Sequence, residues 1–123
     1  INRVLKKDGY FLLEFANNAH FKNRIKHLVK LQKMPLDPVD IRSAENQRAD
    51  EIPFVNHNPK TVKKQLAQAG FKLEKVLSAS NFRSTTLKKT LGKKPLLALE
   101  KATQLPLAHA YFGPSTVFLL RKV

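Results

Sequence analysis

The chain of 123 residues contains no cysteine. Disulfide frameworks, thiolate metal sites and cysteine nucleophiles are excluded with it. The same lack suits a reducing compartment, so a cytoplasmic location is expected. Acidic residues are scarce: nine Asp and Glu stand against 23 Lys and Arg, for a net charge of +14. Glycine is scarce too. Gly9, Gly70, Gly92 and Gly113 each stand alone, so there is no glycine-rich loop to cradle a phosphate. No apolar run approaches the roughly 20 residues that cross a bilayer. The opening "INRVLKKDG" has no long apolar stretch behind its charges and does not read as a signal peptide. It also lacks Met, so residue 1 is expected to be a cut. The histidines, His20, His27, His57 and His109, show no metal spacing. No Ser-His-Asp arrangement is readable, and no catalytic residue is assigned.

What is present reads as one globular domain, with 42% apolar residues. The positive charge favours anionic partners, whether a small anionic substrate or nucleic acid. The bland alternative is a lysine-rich surface that aids solubility. Ile1–Lys7 looks like the last turn of a helix, and "KDG" like a stop with Gly9 suited to positive φ. Tyr10–Phe15, "YFLLEF", lacks alternation and is expected to be a strand covered on both faces. Residues 19–33 predict a helix capped by Asn17 or Asn18, with Phe21, Ile25, Leu28, Val29 and Gln32 on its apolar stripe. It reads as an amphipathic surface helix, with a phosphate-facing helix as the alternative. Residues 34–58 hold three prolines and five of the nine acids; they form an acidic lid-like loop or an insertion without a role.

Asn58 and Pro59 predict a helix start. Val62, Leu66 and Ala69 form its stripe and Gly70 its terminator. "FKLEKVLSAS" begins as an alternating strand near a sheet edge. Gly92 closes the segment from Asn81, Pro95 to about Thr103 is a short helix, "FGPS" is a turn, and "STVFLLRKV" is a last strand. Helices alternating with strands predict an α/β layered fold, here with three strands.

In open α/β sheets, ligands bind beyond the carboxyl ends of the strands. That singles out Asn17, Asn18 and His20 as substrate-binding candidates, against plain capping or exposed roles. His57, after the acidic loop and before a helix cap, is the fourth candidate; it could face the substrate and act as a base, against a loop histidine bonding the backbone. Arg83 could meet an anion or stand on the surface.

"RVLKKDGYFLLEFAN" resembles the segment that enters and forms the fifth strand of class I S-adenosylmethionine-dependent methyltransferases. Lys7 and Asp8 stand where that family has Pro and Gly. "NHNPKTVKKQLAQAGFKLEKVLSAS" is similar to the family's next helix, ending in Ala-Gly-Phe, and its sixth strand. "PSTVFLLRKV" resembles the seventh strand, which in the family runs antiparallel to its neighbours. The resemblance implies that residues 1–123 are the C-terminal half of a Rossmann-like methyltransferase domain, with three strands, the last antiparallel, and flanking helices. It implies four further parallel strands before residue 1, and S-adenosylmethionine held mainly by that half. No cofactor-binding residue is expected in these 123, which alone are expected to be inactive. The parent protein would transfer a methyl group to a small-molecule acceptor, mainly by aligning donor and acceptor and excluding water. The alternative is a basic nucleic-acid-binding module without catalytic activity, although Phe21 and Phe71 fall on expected core faces. An exposed sheet edge would also invite a homodimer.

Overall fold

The structure, a computed structural model, describes residues 1–41, 55–82 and 85–123. The described residues form a mixed α/β unit. Its main sheet contains β1 (Tyr10–Ala16), β4 (Phe71–Ala79) and β5 (Ser115–Lys122) in the order β1-β5-β4. β5 is antiparallel to both neighbours, so β1 and β4 run parallel to each other on either side of it. A two-stranded ladder of β2 (Val39–Asp40) and β3 (Val55–Asn56) forms a second small sheet beside the end of β1. The helices are α1 (Phe21–Val29), α2 (Pro59–Gln68), α3 (Thr85–Leu91) and α4 (Lys93–Ala108).

The core follows from the register. On one face of the sheet, Phe11, Leu120 and Leu73 form a rung. Leu13, Phe118 and Val76 form the next, and Phe15, Thr116 and Ser78 the third. Phe118 and Leu120 are fully buried, with Val62 of α2 and Phe71 in the same cluster. α2 forms because its ends are satisfied locally. The Asn58 side chain accepts from the Lys60 N–H at 3.0 Å, Pro59 opens the first turn, and Gly70 leaves at φ 84°. The turn at residues 1–5 is closed at its C-terminal side by the Lys122 ammonium, which donates to the Asn2 and Leu5 carbonyls at 2.7 Å.

Several expectations are corrected. β1 is covered on one face only: Phe11, Leu13 and Phe15 pack inward, while Tyr10 and Leu12 are 62% and 65% exposed. Alternation in burial is real, but two of the three outward residues, Tyr10 and Leu12, are aromatic or apolar and only Glu14 is charged, which hid it in the sequence. The N-cap of α1 is His20, not Asn17 or Asn18, because the Asn17 side chain is turned to the Ala19 N–H instead. The expected stripe of α1 stays open, with Phe21, Ile25, Leu28 and Val29 all exposed. The positive φ before β1 falls on Asp8, not Gly9. Gly9 is needed for space: a Cβ there would sit 2.9 Å from the Leu5 side chain and the Lys6 carbonyl. α4 runs 16 residues, well past Thr103, and carries Pro106 inside it. Most of the acidic segment, residues 42–54, lies outside the described residues.

Candidate functional site

Because β1 and β4 are parallel, their carboxyl ends lie at the same edge of the sheet, where β5 begins. The segment entering β5 is pinned there from both sides. Asn17, fully buried, donates through Nδ2 to the carbonyls of Tyr111 at 2.9 Å and Gly113 at 3.0 Å. Its Oδ1 accepts from the Ala19 N–H at 2.8 Å, and its own N–H donates to the Pro114 carbonyl. From the β4 side, the Ser78 hydroxyl accepts the Gly113 N–H at 2.8 Å. Gly113 is the residue this approach requires, since a Cβ would lie 2.3 Å from the Ala79 carbonyl. Behind β4, the Glu100 carboxylate of α4 accepts from the Asn81 N–H, the Asn81 Nδ2 and the Phe82 N–H at 3.0–3.2 Å. The side chains of Asn17, Ser78, Asn81 and Glu100 that form this knot all have partners, while the neighbouring Asn18 Oδ1 and Thr116 Oγ1 have none among the described residues.

Beside the knot opens a cavity of about 290 Å³. His20, Phe21 and Lys22 line it from the β1–α1 turn, Ser80, Asn81 and Phe82 from the end of β4, Phe112 and Pro114 from the approach to β5, and Leu87 from α3. The Phe21 and Phe112 rings stack with centroids 4.9 Å apart, and the Phe21 N–H donates to the Phe112 carbonyl at 3.0 Å. Arg24 fixes the same turn by donating to the Ala110 carbonyl. A second cavity of about 590 Å³ shares Ser80 and Phe82 with the first and adds Lys88, Lys93, Leu96, Leu97 and Glu100.

The His20 imidazole makes no capping hydrogen bond. Its pKa is held below the ordinary value of 6.5, first by burial and then by the nearby Lys22 and Arg24 cations. It is therefore neutral near pH 7, with a lone pair able to accept a proton or a hydrogen bond.

Of the residues singled out from sequence, His20 lines the cavity. Asn17, Asn18 and His57 meet one another instead at the end of β1. The Asn18 N–H donates to the His57 carbonyl at 3.0 Å, and the His57 N–H to the Ala16 carbonyl at 2.8 Å. This short parallel bridge extends the sheet beyond β1, and the His57 ring stands edge-on to Phe15. Asn18 and Asn58 both donate to the Pro35 carbonyl, at 3.4 and 3.0 Å. Arg83 lies outside the described residues. The sequence reading missed Lys22, Ser80, Phe112 and Pro114 as lining residues. "FGPS" was legible as a turn, but not as one lying against the end of β1. Among the described residues, no group of three or more His, Asp or Glu side chains could hold a metal ion, and no helix is long and apolar enough to cross a membrane. No family model matches the chain, and neither does any curated protein.

Proposed function

We propose that the chain is the C-terminal portion of a class I S-adenosylmethionine-dependent methyltransferase whose acceptor, a small molecule, binds in the cavity beyond β1 and β4. One observation carries the reading. The final strand is antiparallel to both of its neighbours while those two run parallel to each other, which agrees with the strand direction that the resemblance implies. The cavity lies beyond the carboxyl ends of the parallel pair, where open α/β sheets take ligands.

The described residues do not fit the cofactor itself. The one carboxylate at the cavities, Glu100, is occupied by three donors. The only glycine at this end, Gly113, is packed against Ala79 and Ser78 with no room for a phosphate or a ribose. On this reading the cofactor is held by residues other than these, and this chain supplies the acceptor side. Phe21 and Phe112 form an apolar wall, and neutral His20 takes a proton from an acceptor that must lose one. Asn17, Asn18 and His57 hold the turn that carries His20.

Equilibrium dialysis with methyl-labelled S-adenosylmethionine tests this. The intact protein, with its cofactor half, is expected to retain label and the 123 residues alone to retain none; no retention by the intact protein defeats the reading. The charge of +14 favours a second reading, a basic nucleic-acid-binding module. It predicts binding to a single strand of about a dozen nucleotides whose log affinity falls linearly with log salt.

A further inference from the structure

The two cavities share Ser80 and Phe82 and differ in character. The first is walled by Phe21, Phe112, Phe82, Leu87 and Pro114, with Lys22 as the one lysine or arginine among its described lining residues. The second carries two exposed cations, Lys88 of α3 and Lys93 at the start of α4. The one acid among the described lining residues, Glu100, is turned to the Asn81 and Phe82 N–H groups. It keeps its charge but is oriented by the backbone behind β4, so among the described lining residues the two lysines leave this cavity with a net positive charge. A largely aromatic cavity thus adjoins a cationic one across Ser80 and Phe82. Aromatic walls favour a flat ring by stacking and apolar burial. Lysines act on anions as mobile point charges, not as geometric clamps.

We infer that the adjoining cavities together bind a small flat aromatic anion, its ring against Phe21, Phe112 and Phe82 and its carboxylate or phosphate toward Lys88 and Lys93. This rests on the methyltransferase reading only in making that molecule the methyl acceptor; the binding itself stands on the cavity. A hydroxyl on the ring, at the end away from the anion, would lie on the His20 side.

The test is a pair of titrations of the intact 15N-labelled protein at low salt, one with 4-hydroxybenzoate and one with neutral 4-hydroxybenzamide, followed by amide correlation spectra. Both probes are expected to move the amides of His20–Lys22, Ser80–Phe82 and Phe112. The carboxylate should bind roughly fivefold more tightly, the scale expected for exposed cations. Lys88→Gln with Lys93→Gln should remove that margin and leave the benzamide affinity unchanged. Both lysines are exposed, and the same spectra report whether the variant is folded. Phe112→Leu should weaken both probes together. Equal affinity for the two probes overturns the inference, as does an unmoved set of cavity amides up to about 10 mM probe. So does a carboxylate margin that survives the lysine substitutions. S-adenosylmethionine takes no part in these titrations, so their failure leaves the methyltransferase reading standing, and failed dialysis leaves this inference standing.

Discussion

Phe118 and Thr116 lie two positions apart on the same face of β5, and both are sealed from solvent. They contribute with opposite sign. Phe118 fills the middle rung of the core and meets Phe15 edge-on, with centroids 5.0 Å apart. Phe118→Ala is expected to cost about 3–5 kcal/mol through lost burial and the cavity left behind. The Thr116 hydroxyl is buried with no hydrogen-bond partner among the described residues, so Thr116→Val removes a desolvated polar group at nearly constant shape. It should stabilise by about 1 kcal/mol. Urea unfolding checks both, with the midpoint moving and the slope unchanged. His20 provides the residue-scale pH dependence. Its folded pKa is depressed by burial, Lys22 and Arg24, so between that value and 6.5 the unfolded chain binds more protons than the folded one. Stability from His20 is fully present above pH 6.5 and is lost as pH falls through the folded pKa. Imidazole proton shifts should titrate below 6.5, and Lys22→Gln should move the midpoint back up. A midpoint at or above 6.5 would contradict the structure.

At the scale of elements, two glycines that look alike in the sequence should behave differently. Gly92, between α3 and α4, has a φ of 75° but nothing within 4 Å of a Cβ, so Gly92→Ala costs only backbone strain, about 1 kcal/mol. Gly113→Ala would drive a methyl group into the Ala79 carbonyl and the Ser78 hydroxyl at the last rung of the β4–β5 ladder. The β4 backbone cannot retreat without breaking that rung, so a cost of about 2–3 kcal/mol is expected. Chemical denaturation of the two variants separates them, and equal losses would mean that the loop yields. The same contrast shows what was legible. Asn58, Pro59 and Gly70 act on backbone groups within a few residues of themselves, so α2 could be placed from its sequence. The bulge in β4 could not. The register shifts between Leu73 and Lys75, which moves the inward phase from Phe71 and Leu73 to Val76 and Ser78. Glu74, at the shift, pairs with Arg121 of β5 at 2.9 Å. That partner lies 47 residues away, beyond any local pattern. α1 misled for the opposite reason: its periodicity is strong, yet a periodic stripe does not say that the described chain covers it.

At the scale of the whole molecule, the sheet joins Tyr10 to Arg121, and the cavity draws on segments that follow β1, follow β4 and precede β5. Ligand-side positions after each strand could be named in advance. Which of them share a cavity depends on strand order, which is set by long-range pairing. Charge belongs to this scale as well. Even if each of the nine acids pairs with one of the 23 Lys and Arg, the net charge of +14 remains. Among the described residues the shortest pairs lie together at one place, with Arg121 bonded to both Glu74 and Asp8 at 2.9 and 3.2 Å, so they do little for lysines elsewhere. Folding gathers this excess of like charge into a smaller volume, and the repulsion opposes the compact state. Salt shortens its range, from a Debye length of roughly 20 Å at low ionic strength to about 8 Å at physiological strength. Raising salt across that interval should therefore stabilise the protein, by about 1 kcal/mol, or roughly 4 °C in Tm for a domain of this size. Sodium chloride and sodium bromide should act alike, which separates screening from specific anion binding at the cavities. If Tm fell with added salt, attractive pairs such as Arg121 with Glu74 would outweigh the repulsion. The +14 charge would then be arranged on the surface so that its members scarcely feel one another.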